Sequence, residues 1–195
     1  CLAGELGVFA DRLGLNSGAR RRSNRSRKRA MPSRSIPPIP PQSNYRRLDS
    51  SDIPDGHPVS GFGAYFLSTR RDDGKLHRAD FDPLELVRLM PWLQILEPAG
   101  QSDFRYRLSG TLVVDMLKAD LTGKMLSQIV DREVMDVRRG EIQDVFSTHA
   151  PVFSVSELNF PGREFVTVYR GLFPGASDTG DLVFFITAPV DARVV

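Results

Sequence analysis

The sequence predicts a domain of the α+β class. Three observations predict it. Strands and helices come in blocks rather than in single alternation, the clearest strand carries a period-2 apolar pattern, and residues 82–123 pass from a capped helix through two strands to a second helix with hardly a spare residue. The order along the chain is helix, strand, strand, helices, strand, strand, strand.

The first element is expected over residues 82–90. Asp82 suits its N-cap, Pro83 its first turn, and Glu85 stands three residues after the cap, where its carboxylate closes a capping box; Pro91 ends it. Leu84, Val87, Leu89 and Met90 give this segment a mostly apolar face, with Val87 assigned to the core, and Trp92 falls where the chain turns toward the sheet. LQILEP reads as a short strand. In FRYRLSG, Phe104, Tyr106 and Leu108 alternate with Arg105, Arg107 and Ser109, which is the signature of a strand with one buried side, and Gly110 ends it. By this parity Arg107 points away from the buried side, where an acidic residue on a neighbouring strand or helix is its expected partner; Gly123 suits a helix end or tight turn.

Residues 61–68, GFGAYFLS, fit a short helix or a strand leading into the domain. Residues 133–149 read as a helix with Val134, Val137, Ile142, Val145 and Phe146 on the apolar side and charged residues opposite, ended by Pro151. Strands are expected over 152–160, 164–173 and 182–190, separated by turn signals at Pro161-Gly162 and over 174–180.

Charge divides the chain of 195 residues. Residues 1–47 hold 11 Lys and Arg against 2 Asp and Glu, a net +9, and the remainder holds 15 against 22, a net −7. The expected organisation is a disordered basic, Pro- and Arg-rich tail over 1–47, a transitional segment over 48–80 and the domain proper over 81–190. Residues 17–41 of the tail have too few large apolar side chains to offset the entropy of ordering, and no aromatic residues interleave the arginines there as a stacking platform for single strands would require. Nucleic acid is therefore not an expected partner of the acidic body, and any association of that kind belongs to the tail and falls with salt. Cys1 is the one cysteine, which excludes a disulfide framework and a thiolate zinc cluster and fits a reducing cytoplasm. No window approaches the about 18 apolar residues of a membrane span.

The element order, together with the segments DPLELVRLMPWLQILEP, FRYRLSGT and DLTGK, resembles a PAS domain, and more narrowly a bacterial family of small, mostly single-domain PAS-like proteins of largely unknown function. The likeness spans about residues 60–190 and leaves the tail outside. It implies a five-stranded antiparallel sheet with helices on one face, and a sensory or protein-interaction module of signal transduction rather than an enzyme. It also implies a cavity between helices and sheet that in some members holds haem, flavin or a metabolite, and dimerisation through a helix ahead of the first strand.

Set against that resemblance, the residues offer little catalytic chemistry. Ser109 lacks a nucleophile-elbow context, and GFGAYF lacks the strand and later residues of a nucleotide loop. His57 and His77 fall in polar turns, and His149, at the end of the long helix, is the one histidine placed where a haem ligand would sit; a solvent-facing helix end is its ordinary reading. No metal is expected, Cys1 cannot serve as a chromophore attachment, and no cofactor is expected. Tyr106, Leu108, Val113, Met116, Leu117, Phe146, Val155, Tyr169 and Phe184 form the expected inward set, as plain core or as the lining of a small-molecule cavity. Leu86 and Met90, four residues apart on the first helix, are the expected contact with a second copy, and a homodimer or a signalling protein is the expected partner.

Overall fold

Alternation of apolar residues in the second half of the chain builds a sheet that is buried on both sides. The computed structural model describes residues 42–160 and 165–194. Its strands are β1 (Gln42–Leu48), β2 (Leu76–His77), β3 (Leu93–Ala99), β4 (Asp103–Ser109), β5 (Val152–Leu158), β6 (Val166–Ser177) and β7 (Gly180–Pro189), and its helices α1 (Pro58–Thr69), α2 (Thr111–Leu117) and α3 (Arg132–Thr148). The sheet runs β1-β5-β6-β7-β3-β4, antiparallel throughout, with β2 joining β6 in parallel. Seven strands replace the expected five. The two additions come from segments whose sequence is polar: residues 42–47, assigned above to the tail, form β1 with Leu48, and Leu76–His77 add β2. Residues 1–41 lie outside the described residues, and with them most of the expected tail.

The helix expected over residues 82–90 does not form. Asp82 does accept the Leu84 amide at 2.8 Å, as a cap would, but the segment is a series of turns with one helical bond at its end, from the Met90 amide to the Leu86 carbonyl. The seven residues between Pro83 and Pro91 are too few to sustain a helix without tertiary support, and here packing takes only the last turn. Leu86 is 1% and Met90 4% exposed, whereas Leu84 is 69% and Val87 38% exposed. The outward stripe is thus the reverse of the expected one: Leu86 and Met90 serve the core of this chain, and Val87 faces out.

The helix ahead of β3 is α1, in the segment that fitted helix or strand equally well. His57 caps it: its Nδ1 accepts the Val59 amide at 3.1 Å, and its other ring nitrogen, Nε2, donates to the Pro189 carbonyl at 2.9 Å. Val59, Phe62 and Phe66 face the sheet from this helix, with Phe62 4.9 Å and Phe66 5.5 Å from the Phe173 ring. The helix comes this close because β6 has Gly171 beneath it; a Cβ there would lie 2.7 Å from Val59 Cγ1. Phe184 stacks on Phe81 on the same side, so this face is covered as well.

The other face carries α2, α3 and the connection between them. Leu96, Phe104, Tyr106, Leu172, Val183 and Phe185 of the sheet pack there on Leu121, Leu126, Ile129, Met135, Ile142 and Val145. Helices on one face was the expectation; the structure places α1 on one face and α2 and α3 on the other. The edge at β4 is shielded by residues 123–125, which exchange backbone hydrogen bonds with Tyr106, Gly123 supplying the left-handed turn at φ +81. The turn expected over 174–180 shrinks to its end, because β6 runs through Pro174 to Ser177; Pro174 lies beyond the end of β5.

Candidate functional site

Strand parity decides which of the nine expected inward residues meet the helices. On β7, Val183, Phe185 and Thr187 face α3, and Phe184 faces α1. On β6, Arg170 and Leu172 face α3, and Tyr169 sits edge-on to His57 at 5.2 Å on the α1 side, with Val155 opposite it on β5. A register shift between Ile95 and Leu96 puts Leu108 across from Ile95, which itself pairs with Phe184, so Leu108 also turns to the α1 side. Leu108, Val155, Tyr169 and Phe184 therefore leave the expected cavity set. Tyr106, Val113 and Leu117 line a cavity of about 40 Å³ between the sheet and α2 and α3. Phe146 packs on the adjoining core, and Met116 is half-buried outside the lining.

The cavity also has polar walls that the sequence reading missed. Arg138 and Glu141 of α3 and Arg170 of β6 are 3%, 0% and 2% exposed. Arg138 and Arg170 line the cavity together with Gln94 and Thr187, and Gln94 donates its amide to Thr187 Oγ1 at 3.1 Å. Arg138 donates a hydrogen bond to Glu141 Oε2, and its guanidinium lies 5.0 Å over the Phe185 ring, a cation–π contact. Tyr45 of β1 donates its hydroxyl to the other oxygen of Glu141 at 3.1 Å. Arg170 donates to Ser156 Oγ on β5. Among the described residues two cations and one anion thus share this part of the interior.

The electrostatics follow from that burial. Removal from water pushes the Arg170 guanidinium down to about 9, with repulsion from Arg138 adding to the shift and Glu141 opposing it, so it still carries its charge at neutral pH. Burial likewise pushes the Tyr106 hydroxyl up to about 12, against the lowering effect of the two arginines. The hydroxyls of Ser109 and Ser154 are buried with no hydrogen-bond partner among the described residues, and both residues pair across strands with cavity residues, Ser109 with Gln94 and Ser154 with Arg170.

A signal for these residues existed in the sequence. Arg138 stands four residues after Val134 and four before Ile142, and Glu141 four before Val145, so both fall within the apolar stripe of α3 rather than opposite it. Arg170 alternates in register with Val168 and Leu172. Arg107, by contrast, does what its parity implied: it donates to Glu97 of the neighbouring strand at 2.8 Å. His149 is exposed at the left-handed C-cap of α3 and takes no part in the cavity, and no cluster of His, Cys, Asp and Glu suited to a metal occurs among the described residues. A second cavity, of about 370 Å³ and largely apolar, opens on the other face between α1 and Phe153 and Phe173.

Among the described residues no helix is long and apolar enough to cross a membrane. No curated protein and no solved structure gives a significant match to the chain. The family model of a PAS domain matches residues 56–184, which takes in α1, all strands from β2 to β6, the first half of β7 and both arginines of the cavity. PAS domains are as a rule non-catalytic sensory or interaction modules, and with two thirds of its length matched this chain belongs to the PAS domain family.

Proposed function

We propose that the protein is a non-catalytic sensory module of cytoplasmic signal transduction, in which a small molecule in the cavity between the sheet and α2 and α3 is the input and contact with a protein partner is the output. The observation that supports this reading is the unbalanced set of Arg138, Arg170 and Glu141 in the interior. A core needs no ions, and among the described residues one buried guanidinium has no counter-charge of its own, which is costly unless a further anion completes the set. The same cavity is bounded by β1 through Gln42 and by α3, elements joined by the Tyr45–Glu141 hydrogen bond, so occupancy can alter how the edge of the sheet is held. The partner we propose is a second copy of the chain or a signalling protein.

Native mass spectrometry of the protein purified from its own cells tests the reading. A non-covalent adduct lost on mild activation, with a change of oligomeric state or of a co-purifying protein on its loss, is the expected result. Bare protein, in one association state whatever small molecules are added, would overturn it.

A further inference from the structure

We propose that the cavity between the sheet and α3 binds a monocarboxylate of the size of formate or acetate, its carboxylate held by Arg138 and Arg170 and its carbon end by Leu117 and Leu121. This names the ligand class for the site put forward above and rests on that reading.

Charge, shape and volume select the class. Among the described residues Glu141 neutralises one of the two buried guanidiniums, which leaves a single positive charge and so calls for a monoanion. A guanidinium has five donors in a fixed planar fork that matches a carboxylate, and among the described residues Arg170 uses one toward Ser156 and Arg138 one toward Glu141. Gln94 and Thr187 add a carbonyl, an amide and a hydroxyl to the same wall. The remaining wall is apolar: Val113, Leu117, Leu121, Val130 and Val134 suit a hydrogen or methyl end and no second charge. At about 40 Å³ the cavity has room for about three waters, which is the space of a ligand of three or four heavy atoms. A phosphate dianion brings more charge than the site neutralises, and a dicarboxylate would bury its second anion among leucines and valines.

Methyl-resolved NMR of the full chain decides the matter, because Val113, Leu117 and Leu121 report occupancy whatever the occupant. Sodium formate and acetate are titrated against sodium chloride, phosphate and succinate at matched ionic strength, with 1-propanol as a neutral probe. Saturable shifts of these methyls with formate or acetate, weakened at least about tenfold in Arg170→Gln and lost in Leu117→Phe, are expected. Leu117→Phe fills the cavity without touching a charge and serves should Arg170→Gln not fold. Arg47→Gln, an exposed arginine on β1, stays within about twofold of wild type. Equal binding of chloride, phosphate or succinate, or carboxylate shifts that survive both variants, would overturn the ligand class. Shifts with propanol and none with carboxylate would overturn it while leaving the cavity a ligand site, and silence with every probe would remove both readings.

Discussion

The hydroxyl of Tyr45 on β1 donates to Glu141 on α3 across 3.1 Å, so the outermost strand of the sheet and the longest helix share one fully buried carboxylate. Residues 96 positions apart are thereby coupled, and the strand is held by more than its ladder to β5. Tyr45→Phe removes the donor and leaves a charged acceptor under-satisfied. A loss of about 1 to 2 kcal/mol in a urea titration is expected, together with faster amide exchange in β1. Unchanged exchange in β1 would show that the Tyr45–Glu141 bond does not anchor it, the ladder and the Arg47–Asp144 pair sufficing.

The two signs of charge in the interior predict opposite outcomes for neutral substitutions. Glu141→Gln leaves both guanidiniums buried without a counter-charge and is expected to cost about 3 to 5 kcal/mol. Arg170→Met removes the surplus cation, keeps the Arg138–Glu141 pair and is expected to leave stability equal or raised, by up to about 4 kcal/mol. Denaturant midpoints of the two variants in ligand-free buffer check this, and a large loss in Arg170→Met would assign that arginine a structural counter-charge.

His57 makes stability depend on pH. Burial depresses its pKa below the ordinary value of 6.5, the bond to the Pro189 carbonyl opposing the shift in part, and Nδ1 must stay unprotonated to accept the Val59 amide. The unfolded chain then binds the proton first as pH falls, so stability present at neutral pH is lost from about pH 6.5 downward until the folded imidazole titrates as well. Thermal midpoints between pH 8 and 5 should show this slope in wild type and lose it in His57→Asn, whose side chain can still cap α1.

Two glycines give opposite signs with the same substitution. Gly140 lies inside α3 with open space where a Cβ would stand, so Gly140→Ala is expected to raise stability by about 0.5 to 1 kcal/mol. Gly171→Ala drives a methyl to 2.7 Å from both Val59 and the Phe173 ring and is expected to cost about 1 to 3 kcal/mol. Calorimetry on the pair separates helix propensity from the fit of α1 on the sheet.

The sequence by itself determined the α+β class, the places of the five long strands, the long helix read over residues 133–149 and ended before Pro151, and the pairing of Arg107 with an acidic neighbour, because these rest on short-range periodicity and turn signals that survive folding unchanged. Tertiary structure decided the rest. Leu86 and Met90 went inward because a seven-residue segment between prolines takes its conformation from what it packs on. Residues 42–48 became a strand because β5 offered them an edge, an interaction invisible in a polar segment read alone. Leu108 changed faces because one register shift reverses every later side chain, and Val155, Tyr169 and Phe184 met α1 because strand parity fixes a face without saying which helix will cover it. The ions of the cavity were overlooked for the same reason: a charged residue in an apolar stripe reads as solvent-facing until a second buried charge, distant in sequence, is brought beside it.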